Sequence, residues 1–448
     1  MRRFAILGLV VLCCGLRPCR AEPHADGVGL GGFPRYRGHL EAAEAVELAL
    51  KHNLDVALAR ERPALEKAMI HMAESAFRPK LSLGTDLTQG NTPMIWGGAP
   101  GVEPGFLTRI ANPGALDLNA MLMIPLFTGG QFQARLAAAQ KGERAAVARL
   151  AFSLRDAARA TRVGYAEIQS QTLELNSLKW ELEKRFELVR LTEDQLKVGR
   201  VAPYIVLRAE AELAKTRQEM ARKEADLQVA EAGFKAGLGL AMDSGFDYQT
   251  DFQTPVEMPG LEAQVGQALA ERPDLGAARL AVAQNDEQLA EALAAYSPKA
   301  YFVTMLEAAK SGPFQTSGLD TGYQAGLVLS WQAFDGGARA AQVETARTNR
   351  RLGQLSLRQL ELETTRQVVS NRARLAAARQ NLELSAAERT KADEELRIAE
   401  LRFGLGRGIM LEILDAISLA ARARNDQIRA GFEWEQAYAE LLFSLGRL

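Results

Sequence analysis

The chain has 448 residues, with 54 Lys plus Arg against 55 Asp plus Glu and a net charge of −1, so no basic field marks it as a nucleic-acid binder. Only 6% of its residues are aromatic, while Ala, Leu, Glu, Arg and Gln abound, which is the composition of long helices. That length suits two or three ordinary domains or one large repetitive one.

Met1-Arg2-Arg3, the apolar stretch from Phe4 to Leu16 and Cys19-Arg20-Ala21 before Glu22 read as a secretory signal peptide over residues 1–21, too short to span a membrane. All three cysteines (Cys13, Cys14 and Cys19) lie inside it, so the mature chain is expected to have no disulfide and no thiolate site. Loss of Arg2, Arg3, Arg17 and Arg20 takes the net charge to about −5. Leu12, Cys13 and Pro18 precede the three cysteines, and none suits the small residue that lipid attachment requires there. No later segment offers the ~18–20 apolar residues of a transmembrane helix. Any passage through a membrane must then be made by strands.

Residues 22–40 form an extension whose Gly and Pro make regular structure a poor expectation up to about residue 38. From Glu41 a helical pattern runs through Ala45, Val46, Ala49 and Leu50 to Phe77, where Pro79 stops it. Lys80 to Thr88 alternates Leu81, Leu83 and Leu87 with polar residues, which predicts a strand. A Gly- and Pro-rich loop over 89–114, expected to face the exterior, leads to a second strand. Its Leu116, Leu118, Ala120, Leu122, Ile124 and Leu126 share one face, with Asp117, Asn119, Met121 and Met123 on the other. An apolar outer face and a mixed inner one suit a membrane β-barrel, although a half-buried soluble strand has the same pattern.

That strand ends in Phe127-Thr-Gly129-Gly130, and a proline-free helical run then reaches Lys197, about 100 Å if fully helical. Val147, Leu154, Thr161, Ile168, Leu175, Leu182, Val189 and Leu196 recur every seven residues along it, which predicts coiled-coil packing. Val198-Gly199-Arg200 breaks the run. A returning helix carries Val206, Leu213, Met220, Leu227 and Phe234 at the same spacing and ends at Gly237-Leu-Gly239, completing an antiparallel hairpin.

The second half repeats the first. Ala49-Leu50 and Asp55 align on Ala268-Leu269 and Asp274, and Pro79-Lys80 on Pro298-Lys299, all at an offset of 219. Phe127, Gly129 and Gly130 then match Phe334, Gly336 and Gly337 at an offset of 207, which still holds for Gly199-Arg200 on Gly406-Arg407. Two structural repeats, 41–240 and 261–448, are thus expected around a linker at 241–260. The helices near 42–77 and 204–238 are each about half as long as the one at 131–197, so two of them end to end would match it. Each repeat could supply two parallel staves of a helical wall topped by a strand pair. Four strands cannot close a membrane barrel, which needs about eight or more, and open edges do not survive in lipid, so membrane-borne strands require several copies.

This arrangement resembles the TolC family of outer-membrane efflux proteins over about residues 41–448. The resemblance rests on the Phe-x-Gly-Gly strand exits, the Val-Gly-type tips and the tail Tyr438-Ala-Glu-Leu-Leu-Phe-Ser-Leu-Gly446. It implies a mainly α fold with a membrane β-barrel portion: coiled-coil hairpins forming an α-barrel, and four strands per chain contributing to a twelve-stranded barrel in a homotrimer. It further implies a site in the Gram-negative outer membrane, reaching into the periplasm in contact with outer-membrane lipid. The partners implied are a periplasmic adaptor and an inner-membrane pump of RND, ABC or MFS type, in a tripartite efflux or type I secretion system. No cofactor and no nucleic-acid partner are expected.

Two sites follow by the same resemblance. Glu412 and Asp415 share a helix face at i and i+3 and fall where the family rings its periplasmic entrance with acids; they equally suit an ordinary first helical turn, where the dipole favours acids. Neutralising Glu435 and Glu440, nearer the other end of that helix, is expected to matter much less. Val198, Gly199 and Arg200 with Leu405, Gly406 and Arg407 match the adaptor-contacting turns, although the two arginines depart from the family's commoner uncharged residue, and helix-ending glycine accounts for the turns as well.

Nothing in the sequence points to an enzyme. His24, His39, His52 and His71 are isolated, and no phosphate-cradling loop or nucleophile elbow is present. Trp331 suits an interfacial aromatic girdle. The competing reading is a soluble periplasmic coiled-coil adaptor or scaffold, which accounts for the signal peptide and the heptads but not for the apolar strand faces.

Overall fold

The computed structural model describes residues 33–88, 115–248, 260–311 and 320–448. The signal peptide, the three cysteines, the 89–114 loop and linker residues 249–259 lie outside the described residues.

The first half runs β1 (Arg37–Leu40), α1 (Ala42–His52), α2 (Leu54–Ser75), β2 (Lys80–Thr88), β3 (Ala115–Phe127), α3 (Gln131–Lys197) and α4 (Pro203–Leu238). After β4 (Gly245–Tyr248) the order recurs as α5 (Leu261–Glu271), α6 (Pro273–Ala294), β5 (Lys299–Ser311), β6 (Asp320–Ser330), α7 (Ala338–Gly404) and α8 (Met410–Ser444). The repeat is carried by length as well as order. α1 and α5 each have 11 residues, α2 and α6 each 22, and α3 and α7 each 67.

Two expectations need revising. The helix expected to run unbroken from residue 41 to 77 is two helices, because Asn53 leaves the helical region at ψ 129° and caps both sides of the break. Its side-chain oxygen accepts from the Val56 N–H at 3.0 Å, satisfying one of the free donors at the start of α2. In the second half Arg272 occupies the equivalent break and Pro273 opens α6, a position where a missing N–H costs nothing. The other revision concerns the Gly- and Pro-rich flank and the linker, which contribute β1 and β4. These pair in parallel, Arg37 with Gly245 through Leu40 with Tyr248.

The small parallel sheet closes over the midpoint of α3. Leu40, Ala45, Ala49, Tyr165, Ile168, Phe234 and Leu238 form one buried cluster there, and Tyr36, Phe246 and Tyr248 pack on it. The Tyr165 hydroxyl donates to the Leu40 carbonyl at 2.8 Å. At the same level α4 ends on Gly239 while the α1–α2 break passes alongside, and Asn53 Nδ2 donates to the Gly237 carbonyl at 2.7 Å. The end of α4 therefore meets the junction of the two short helices, and all three line the long α3.

The other sheet has four antiparallel strands in the order β2-β3-β5-β6, so the two repeats join through β3 and β5. Leu83, Ala120, Leu306 and Tyr323 stand in one row across it, and Leu81, Leu122, Thr304 and Ala325 in another on the same face. That face carries Leu81, Leu83, Leu118, Leu306, Tyr323 and Leu327 exposed, with Tyr323 at 84%. The opposite face holds rows such as Ser82, Met121, Met305 and Gln324, or Gly84, Asn119, Glu307 and Gly322. One apolar face uncovered and one mixed face behind it is the pattern of a sheet that meets lipid on one side and water on the other. Among the described residues no helix is long and apolar enough to cross a membrane.

Paired glycines precede both long helices. Gly129 and Gly130 have φ of 62° and 87°, and Gly336 and Gly337 have 66° and 94°, values that Cβ-bearing residues avoid. At Gly129 a side chain would also collide with Ser297. Asp335 caps α7, accepting from the Gly337 N–H at 3.1 Å, the Arg339 N–H at 2.9 Å and Arg339 Nε at 2.7 Å. These donors hold its carboxyl below the usual range. Phe127 ends β3, whereas β6 stops at Ser330 and Phe334 lies beyond it; both phenylalanines are exposed.

Candidate functional site: the hairpin tips and the acidic groove

Far from the sheet, the α3–α4 and α7–α8 hairpins turn in the same way. The Arg200 N–H bonds to the Gln195 carbonyl at 2.9 Å and the Arg407 N–H to the Arg402 carbonyl at 2.8 Å, each closing the wide loop that ends a helix on a left-handed residue. Gly199 and Gly406 supply that residue, at φ of 75° and 71°. Val198 and Leu405 stand exposed at the apices, at 68% and 70%, with Arg200 and Arg407 exposed beside them. Each turn therefore holds one large apolar side chain outward with an arginine two residues further on.

The two hairpins pack together just behind the tips. Leu188, Val189, Ala209 and Leu213 of the first join Leu396, Phe403, Ile413 and Ile417 of the second in a buried cluster. Gln195 Nε2 donates to the Phe403 carbonyl at 3.4 Å, and Lys184 pairs with Glu400 at 3.2 Å. A groove between the tips is lined by Arg200, Tyr204, Arg208, Leu405 and Ile409.

Glu412 and Asp415 are both exposed on one face of α8, near its start. They line a groove together with Lys391, Glu394, Glu395 and Arg402 of α7. Arg402 approaches Glu412 at 3.6 Å, so one carboxylate is partly balanced. Hydrogen bonds from Arg397 at 2.8 and 2.7 Å hold the Glu394 carboxyl below its usual range. Four carboxylates thus share this groove with Lys391 and Arg402.

Glu435 and Glu440, nearer the other end of α8, are both tied to α3 by arginines. Glu440 pairs with Arg159 at 2.7 Å, and Glu435 is buried with Arg162 at 3.9 Å, both tying α8 to α3. Their neutralisation is therefore expected to cost packing, and they serve poorly as a silent comparison.

One constellation had no sequence signal beyond an i,i+4 spacing. Arg185 is buried behind the tips, bonded to Glu181 at 2.7 Å, Glu212 at 3.1 Å and Ser418 at 3.2 Å, and so linking α3, α4 and α8. Nearby, the Arg424 guanidinium lies 3.5 Å from the Trp180 ring centroid while bonding Asp393 at 3.0 Å. Heptads foretell that helices meet, but not which of their charges end up between them.

Known proteins share this architecture. A nodulation protein T of Rhizobium leguminosarum bv. trifolii is 24% identical over 412 residues, covering 90% of this chain and 84% of that protein. The outer membrane protein VceC of Vibrio cholerae superposes with a TM-score of 0.76 at 17% identity, over 90% of this chain and 96% of VceC. The Campylobacter jejuni CmeC outer membrane channel does so with a TM-score of 0.77 at 16% identity, over 90% of this chain and 85% of CmeC. The outer membrane efflux protein family matches twice, over residues 45–240 and again over 265–447, the two halves that the internal repeat and the paired helix lengths define. An apolar sheet face, two long coiled-coil hairpins and this double match have one common explanation: the chain is a transport protein of the outer membrane, reaching into the periplasm, and it belongs to the outer membrane efflux protein family.

Proposed function

We propose that three copies of the chain form one continuous duct, a twelve-stranded barrel in the outer membrane prolonged by an α-helical tunnel through the periplasm. The observation that carries this reading is the four-stranded sheet, with an uncovered apolar face and two open edges, β2 and β6. Unpaired strand edges are untenable in lipid, and four strands are too few to close. The repeat supplies the means of closure. β3 of the first repeat pairs with β5 of the second, and their equivalents are β6 and β2, so the same contact made between copies continues the sheet around a ring.

In this reading the duct is the exit of a tripartite efflux or type I secretion system. The exposed apices Val198 and Leu405, with their glycines and arginines, receive a periplasmic adaptor that links the duct to an inner-membrane pump. Glu412 and Asp415 attract cations to the periplasmic entrance. The likeness to a solved outer membrane channel, CmeC, supports the open-conduit role. The decisive experiment is mass measurement of detergent-solubilised protein, with strand content followed by circular dichroism. A trimer is expected; a stable monomer that keeps its strands would defeat the reading.

A further inference from the structure

The α7–α8 groove has an equivalent elsewhere in the same chain, and that equivalent is filled. Its residues Glu395, Ile398 and Arg402 correspond, at the offset of 207, to Leu188, Leu191 and Gln195 of α3. In the first repeat those positions are covered by the α7–α8 hairpin. Leu188 is only 3% exposed, Leu191 packs on the same apolar cluster, and Gln195 bonds the Phe403 carbonyl. Ile398, by contrast, is 46% exposed.

The charges repeat as well. Lys184 of α3 pairs with Glu400 of α7 at 3.2 Å. Shifted by the repeat offset, this pair becomes Lys391 and Glu193, a cation and an anion again, and both are exposed. Nine residues separate Lys184 from Glu193, and nine separate Lys391 from Glu400. Nine residues are about two and a half helical turns, which puts the two members of each set on opposite sides of their helix. Thus α3 shows a cation to the α7 of its own chain and an anion to the outside, while α7 shows an anion inward and a cation outward. The outward charge of one copy complements that of another, and a contact built this way repeats around a closed ring.

We infer that the α7–α8 groove is the seat for α3 of a second copy of this chain, held by Lys391 against Glu193 of that copy. Arg402 reaches the Leu196 carbonyl of the second copy, as Gln195 reaches the Phe403 carbonyl within one chain. This rests on the oligomeric duct proposed above and adds the surface by which its periplasmic ends meet.

A zero-length carbodiimide, which joins an amine to a carboxylate only at ion-pair distance, tests it on the detergent-solubilised full mature chain. The expected result is a Lys391–Glu193 linked peptide found only in covalently joined chains. It should disappear in Lys391→Gln and in Glu193→Gln, and return in the swap Lys391→Glu with Glu193→Lys. The Lys184–Glu400 link should persist within single chains, reporting that folding and chemistry are intact. A protein trimeric by mass, coupled at Lys184–Glu400 but not between chains at Lys391–Glu193, would overturn the seat and leave the duct standing. A monomer by mass would overturn both.

Discussion

Gly199 and Gly239 both hold positive φ, at 75° and 70°, yet substitution should separate them. An added Cβ at Gly199 meets open space, so Gly199→Ala carries only the left-handed backbone cost of about 1–2 kcal/mol. At Gly239 the same Cβ would press on the backbone of His52 and Asn53, which cannot swing aside as a flexible side chain can. Gly239→Ala is expected to lose a further ~1–3 kcal/mol through overpacking, seen as a lower denaturation midpoint by circular dichroism. Equal losses would mean that the α4 end does not meet the α1–α2 break. Glu412 and Asp415 make the other residue-scale prediction. Both are exposed, so Glu412→Gln with Asp415→Asn should leave the fold of each chain unchanged. The double variant should reduce cation preference and multivalent-cation block in planar-bilayer recordings, because a narrow opening screens its carboxylates less than open water does. Parental conductance properties would mark them as ordinary first-turn acids.

Among the elements, the two long hairpins are joined by more than apolar heptads. The guanidinium of Arg185, with Glu181, Glu212 and Ser418, is a charged knot inside the cluster behind the tips. Removing Arg185 strands the carboxylate of Glu181, whose side chain is only 9% exposed, away from water, which is worse than never having buried it. Arg185→Ala is therefore expected to destabilise the hairpin pair by about 3–5 kcal/mol. Arg185→Ala with Glu181→Ala should recover part of that loss, because no buried carboxylate is then left facing Arg185's place on α3. Equilibrium unfolding of the three variants gives the comparison, and an additive pair of losses would show that the two side chains act independently.

For the molecule as a whole, the repeat makes the closing register of the barrel a specific expectation. Leu122 lies opposite Thr304 in the β3–β5 pair, and the repeat equivalents of these residues are Leu329 and Thr85. Directly opposed strand residues lie about 4.5–5.5 Å apart, within the span a disulfide accepts. With the native cysteines confined to the first 21 residues, Leu329→Cys with Thr85→Cys should form a disulfide between copies. Covalent trimers on a non-reducing gel are expected, and neither single substitution should produce them. Cross-linking absent from a verified trimer would mean that the strands close in another register.

Periodicity and the repeat were legible without coordinates because they are local: a seven-residue spacing, two glycines after an aromatic, and offsets of 219 and 207 all survive in one dimension. They determined the strand pairs, the two long helices, the glycine turns and the family resemblance. Asn53 escaped notice as a break because its neighbours Leu50 and Leu54 continue an apolar pattern; the cap is completed by the Gly237 carbonyl, 184 residues away in the chain. β1 was hidden for the same reason, since a four-residue strand has too little pattern of its own and exists by pairing with β4. Nothing in the spacing of Glu435 and Glu440 foretells that Arg162 and Arg159 lie across from them. Spacing along the chain determines which face of a helix a residue occupies, whereas burial and charge pairing depend on what a distant segment lays against that face, and only the tertiary structure decided that.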